Sequence, residues 1–263
     1  MTEQTPLDLA HAAMDAAPED DVARLKFFER LADSELFLLL TEEPKGDALS
    51  PELFDLADGR FVLVFDREAR PSDFVGRPAP YAALSGRVIA SMLSSQQIGM
   101  GVNLEVAPSS VLIPAEAMDW LNGTLGNGPE QVEAEMETFE APVGLPESLL
   151  TALDEKLATA RGLAGSAYLV GVTYSGGGRG HLLGFVDAVT DAQGALARAV
   201  NEALTFSGIE AGALDVGFFQ ASDVATARMA QVGLRFDLPE LSAEDRGVRS
   251  SPGSDPEKPP ILK

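Results

Sequence analysis

PLDLAHAAMDAAPEDDVARLKFFERLADSELFLLL, Pro6–Leu40, decides the fold class. Leu7, Ala10, His11 and Met14 fall at i, i+3, i+4 and i+7, one face of a short helix. Pro6 sits where a first helical turn tolerates it. Asp20 and Asp21 open a second helix, favoured by the positive end of its dipole. That helix carries Val22, Leu25, Phe28 and Ala32. The period then changes. ELFLLLT (Glu35–Thr41) is a continuous apolar run of strand length, the pattern of a strand buried on both faces. Two amphipathic helices feeding such a strand predict a layered α/β or α+β domain.

The pattern continues outward. Asp58-Gly59 is a turn dipeptide leading into RFVLVFD (Arg60–Asp66), a second buried strand. Tyr81–Leu84 reads as a short strand. Gly86–Gln97 reads as a helix, with Val88/Met92 and Ile89/Leu93 as i,i+4 pairs. MGVNLEV (Met100–Val106) and VLI (Val111–Ile113) read as strands, and Pro114 opens a helix carrying Met118 and Leu121. In the second half Leu149, Leu150, Leu153 and Leu157 stripe a helix that Gly162 ends. SAYLVGVTY (Ser166–Tyr174) and HLLGFVDA (His181–Ala188) are strands joined by SGGGRG, a hairpin. Thr190 and Gln193 fit a capping box before a helix on Leu196, Val200, Ala203 and Leu204. LDVGFFQ (Leu214–Gln220) is a strand. Ser222 caps a last helix ending at Gly233, and LRFDL adds an edge strand.

Organisation follows from composition. The chain of 263 residues has 41 Asp+Glu against 19 Lys+Arg, a net charge of −22, and no cysteine. We expect residues 1–125 as one domain, 126–146 as an acidic linker, 147–241 as a second domain and 242–263 as a disordered tail. The linker reading rests on Glu130, Glu133, Glu135, Glu137 and Glu140 between the turn formers NGTLGNGP (Asn122–Pro129) and GLP (Gly144–Pro146). The tail reading rests on its Ser, Pro and Gly content. Residues 1–60 hold 15 acids against 5 basic residues, and residues 128–160 hold 8 against 1. The acidity is therefore concentrated in the opening segment and between the expected domains.

These numbers exclude function classes. Without cysteine there is no thiolate nucleophile, no disulfide framework and no Cys-based zinc or iron–sulfur site. So acidic a surface repels phosphate backbones, so nucleic acid and anionic membranes are not expected partners. No basic n-region precedes an apolar h-region, and no apolar run approaches the ~20 residues of a span. The expectation is a cytoplasmic protein.

Pro6–Leu40 resembles the start of the SseB family, the "enhanced serine sensitivity" proteins. There a helix, an acidic turn, a Phe-containing helix and an apolar strand follow in order. GMGVNLEVAPSSVLIPAEAMDWL (Gly99–Leu121) resembles a second family block, in which a Gly precedes a strand ending in Asn-Pro. Asn103 matches, and Leu104 stands in the Pro position. Leu145–Pro239 is similar to the family's C-terminal domain through its Leu-striped helix, AYLV (Ala167–Val170), LLGFVD (Leu182–Asp187) and DVGFF (Asp215–Phe219). The resemblance implies two α+β domains. It implies no catalytic residues.

Few residues carry chemistry. Gly176, Gly177, Gly178, Arg179 and Gly180 read as a flexible hairpin tip or as a backbone N–H cradle for an anion. No Lys-Ser/Thr follows, and the loop leads into a strand, so neither a P-loop nor a dinucleotide fingerprint is present. The two histidines, His11 and His181, form no metal spacing. Ser175, His181 and Asp187 lack the Gly-x-Ser-x-Gly elbow. Asn122-Gly123-Thr124, a formal sequon, reads as a turn, and Trp120 as a core anchor rather than a ligand platform. We therefore expect no catalytic residue, cofactor or metal. The leading reading is a regulatory or interaction module that presents acidic surface to a basic protein partner. The alternative is a small-molecule binder or enzyme with its pocket between the domains.

Overall fold

The computed structural model describes residues 4–44, 49–56, 59–94, 96–126, 136–209 and 214–240. The expected tail therefore lies outside the described residues, as do Glu130, Glu133 and Glu135. The chain divides into two compact units. The first takes residues 1–132, 146–152 and 197–213, and the second takes 133–145, 153–196 and 214–263. Two stretches of the expected second domain, 147–152 and 197–213, thus cluster with the first unit, as does residue 146 of the expected linker.

The first unit contains α1 (Pro6–Ala16), α2 (Asp21–Asp33), β1 (Glu35–Leu39), β2 (Leu53–Leu56), β3 (Gly59–Phe65), α3 (Arg70–Val75), β4 (Tyr81–Ser85), α4 (Gly86–Leu93), β5 (Ile98–Val102), β6 (Val111–Ile113) and α5 (Ala115–Gly126). Its sheet runs β4-β1-β3-β5-β6, with β2 paired to β3. Only β3 and β5 are parallel among these pairs, in the register Arg60↔Ile98 to Val64↔Val102. The continuous apolar runs bury both faces, as the sequence predicts. Leu36, Leu38, Leu40, Val62, Val64, Met100 and Val102 join Leu7, Phe27, Leu31, Ile89 and Met118 in the main core. Leu39, Leu63 and Phe65 point the other way, against Phe37, Phe54, Phe74 and Leu104. Each such side chain withdrawn from water contributes about 1.5–3 kcal/mol. At the start of α4 there is no room for a side chain. A Cβ on Gly86 would lie 1.9 Å from the Leu31 carbonyl oxygen, and the Gly86 N–H donates to Ser34 O at 2.9 Å.

The second unit contains β7 (Met136–Glu140), β8 (Ser166–Tyr174), β9 (Arg179–Val186), β10 (Asp215–Phe219), α8 (Val224–Val232) and β11 (Leu234–Asp237). Two helices are shared between the units, α6 (Glu147–Thr159) and α7 (Gln193–Phe206). The sheet order is β10-β9-β8-β11, and β7 also pairs β8. β8 and β9 form the expected hairpin, from Ser166↔Val186 to Thr173↔Arg179, while β9 and β10 are parallel. Tyr168, Val170, Val172, Leu182 and Val186 pack with Met229 of α8.

Several local expectations need correction. Met136–Glu140, expected within a solvated linker, is an edge strand on β8, with Phe139 and Met136 packed against the core. Its two acids, Glu137 and Glu140, are exposed, which an edge strand tolerates. Asn122-Gly123-Thr124 is helical. α5 runs on to Gly126 because Leu121 is buried and Leu125 packs on the core. The strand expected over Met100–Val106 stops at Val102 because Asn103 and Glu105 adopt φ +49° and +60°. The helix expected over Gly86–Gln97 ends at Leu93. Asp223, not Ser222, precedes α8, and its carboxylate accepts the Gln220 N–H at 2.8 Å. Thr190–Ala192 is a 3-10 turn, and α7 begins at Gln193, so no capping box forms there.

Candidate functional site

Two parts of the first unit combine polar chemistry or exposed apolar surface with defined geometry. The first is a buried polar cluster at the carboxyl ends of the parallel strands. Asp66 follows β3 and Asn103 follows β5. Such ends are where open α/β sheets place ligands. Here they are filled by the chain itself. Thr5 caps α1: its Oγ1 accepts the Asp8 N–H at 3.1 Å, and the Thr5 N–H donates to Asp8 Oδ2 at 3.0 Å. Ser109 Oγ donates to Asp8 Oδ1 at 2.5 Å, and Asn103 Nδ2 donates to Ser109 Oγ at 2.8 Å. The Asp66 N–H donates to Asn103 Oδ1 at 3.1 Å. Arg70 Nη2 reaches Asp8 Oδ2 at 3.3 Å. Arg70 Nη1 and Thr5 Oγ1 also donate to the Asp66 carboxylate.

The Thr5, Asp8, Arg70, Asn103 and Ser109 side chains are buried, and the Asp66 side chain is only 4 % exposed. Two carboxylates face one guanidinium, and donors surround both acids. Burial pushes the Asp8 carboxyl up, but the Ser109 hydroxyl, the Thr5 N–H and Arg70 together outweigh it and hold it at about 2. The cluster ties the segment before α1 to the ends of β3 and β5 and to the start of α3. That makes it a clasp: it fixes positions and presents no open acid or base.

The second is a groove of about 510 Å³ between α2 and α5, lined by Leu25, Phe28, Ala117 and Trp120, with Asp21 and Arg24 at its lip. Trp120, expected in the core, is 41 % exposed. Its ring stands edge-on to Phe28 at 5.3 Å and to Phe206 at 6.4 Å. Arg24 pairs with Asp21 at 2.6 Å.

The glycine tip lies elsewhere, in the second unit. The Gly177 N–H donates to Tyr174 O at 2.8 Å, and the Tyr174 N–H donates to Gly178 O at 2.9 Å, so the tip is closed by its own backbone. Gly177 has φ +80°, and no atom lies within 4 Å of a Cβ built on Gly176 or Gly177. Arg179 lies 3.6 Å from Glu140. Asp215 accepts the Tyr174 hydroxyl, and burial together with that carboxylate pushes the phenol's pKa up. A Cβ on Gly180 would lie 3.8 Å from Asp215 Oδ2. Carboxylates therefore flank the loop on two sides. His11 stacks edge-on with Phe27 at 5.7 Å, and His181 Nε2 lies 3.0 Å from Val143 O. Among the described residues no group of three or more His, Asp or Glu is placed to hold a metal. No described helix is long and apolar enough to cross a membrane.

The sequence did not single out the clasp. Its one local signal was Thr5-Pro6-Leu7-Asp8, a cap residue with an acid three positions on. The remaining members are spread over a hundred residues.

No curated protein and no solved structure matches the chain. Residues 9–120 match the family model described as the SseB protein N-terminal domain. The matched span contains Asp8's neighbours on α1, Asp66, Arg70, Asn103, Ser109 and, at its end, Trp120. Over residues 9–120, less than half of its length, the chain is similar to the SseB protein N-terminal domain.

Proposed function

We propose that this protein is an interaction or regulatory module that binds a basic protein partner through its acidic surface. The observation that carries this reading is the net charge of −22, with 15 of the 41 acids in residues 1–60. A field of that size raises the encounter rate with a cationic partner and repels nucleic acid and anionic lipid. The second half, Leu145–Pro239, belongs to this proposal as an SseB C-terminal-like domain, and the protein acts in the cytoplasm.

The buried clasp supports the same reading from another side. It spends the polar groups at the strand ends on internal bonds, which leaves recognition to the surface. The test is affinity capture with the full chain from its native cell at ~50 mM and ~500 mM salt, a range over which the Debye length falls from ~14 Å to ~4 Å. A partner retained at low salt and released at high salt supports the proposal. Capture that is indifferent to salt, or no specific partner at low salt, refutes it.

A further inference from the structure

The α2–α5 groove joins an apolar floor to an acidic rim. Helical spacing builds the floor. Asp21, Arg24, Leu25 and Phe28 lie at i, i+3, i+4 and i+7 on α2, and Ala117 and Trp120 lie at i and i+3 on α5. Trp120 is held by two aromatic edges yet keeps 41 % of its surface open. A rigid, half-exposed indole is the kind of residue that anchors protein interfaces. The rim is acidic. Asp20 caps α2 and Asp21 opens it. Glu116 and Asp119 lie four positions and one position before Trp120 on α5, which has no Lys or Arg. Among the described residues lining the groove the one cation is Arg24, which is paired with Asp21 at 2.6 Å.

We propose that this groove docks an amphipathic helical segment of a protein partner, which sets Leu- or Phe-sized side chains against Trp120 and Lys or Arg against the acidic rim. A two-helix groove with an apolar floor suits a third helix, and the rim's charge selects a basic one. The proposal rests on the basic-partner reading above and gives it a place.

The chain's only tryptophan is Trp120, so its emission reports this groove and nothing else. The probe is a synthetic peptide of ~16 residues with Leu at i, i+3, i+4 and i+7 and Lys elsewhere, added to the full chain. One control replaces each Lys with Glu, and another replaces each Leu with Ser. Anisotropy of a labelled peptide measures binding. The Lys/Leu peptide is expected to bind, to shift Trp120 emission to the blue, and to weaken as salt rises. The charge-reversed chain Asp21→Lys/Glu116→Lys, altered only at exposed positions, is expected to bind it at least ~10-fold more weakly, with circular dichroism unchanged.

Binding that leaves Trp120 emission unmoved overturns the proposal. So does equal binding of either control peptide, equal binding by the charge-reversed chain, or no binding at all. Self-association of the full chain through this groove, seen as a concentration-dependent Trp120 shift in sedimentation samples, also overturns it. If a salt-sensitive native partner is captured equally by the wild-type and charge-reversed chains, the groove assignment fails while the basic-partner reading stands.

Discussion

Replacing Asp8 with Asn tests the clasp, because the geometry sets both the size and the pH dependence of the loss. Asp8 accepts from Ser109 Oγ, the Thr5 N–H and Arg70 Nη2. An Asn can accept on one oxygen only, and its amide then meets a donor. The wild-type carboxyl is held at about 2, against an ordinary 3.8. That difference is worth about 2 kcal/mol. Its sign follows from the lowered folded-state value: the stabilisation is fully present above about pH 4 and is lost as pH falls through about 2.

Asp8→Asn is therefore expected to lower stability at pH 7 by about 2 kcal/mol, a large share of the ~5–15 kcal/mol typical of a domain. With a urea m-value of ~2 kcal/mol/M the midpoint falls by ~1 M. Trp120 lies in the same unit as Asp8, so urea unfolding followed by its emission reads the right transition. The gap between wild type and Asp8→Asn should narrow steadily between pH 4 and pH 2. An unchanged midpoint at pH 7, or a gap that does not depend on pH, would refute the clasp as the source of stability.

Other substitutions probe separate parts of the account. Gly86→Ala drives a Cβ against the Leu31 carbonyl and should cost about 1–3 kcal/mol in urea unfolding; no loss would mean that α4 shifts freely on α2. The Ser207 hydroxyl is buried with no hydrogen-bond partner among the described residues, so Ser207→Ala should raise stability by about 1 kcal/mol, read as a higher melting temperature. Arg87 donates to both oxygens of Glu202 at 2.6 Å and also to Asp33. Arg87→Met should destabilise by about 1–3 kcal/mol, and part of that loss should disappear at ~1 M salt, because the arginine is partly exposed and screened.

The elements legible in the sequence were those whose burial is written in the residues. LFLLL (Leu36–Leu40) and FVLVF (Phe61–Phe65) are uniformly apolar because both faces of β1 and β3 are covered, so no alternation was needed to find them. The β8–β9 hairpin was legible from two apolar runs around a glycine tip. The edge strands β2 and β7 were not. LFDL and METFE bury one side at most, and their acids make them read as loop. Asn103 was read as mid-strand because Val102 and Leu104 flank it. Its positive φ is paid for by side-chain bonds to Ser109 and the Asp66 N–H, which only the folded chain brings together.

The same limit hid both sites. The clasp joins Thr5, Asp8, Asp66, Arg70, Asn103 and Ser109 across the sheet, and none of these is unusual where it stands. Trp120 was read as core because a large indole in an apolar helix normally is. Its exposure arises from the gap that α2 and α5 leave, which neither helix shows alone.

The central claim is that acidic surface recruits a basic partner. The most direct measurement is the affinity of a captured partner for the full chain across a salt series, with wild type beside Asp20→Asn/Asp21→Asn/Glu116→Gln. The account predicts that the wild-type Kd rises steeply with salt and that the neutralised chain binds more weakly at low salt, with a shallower salt slope. Equal affinities and equal slopes for the two chains would contradict it.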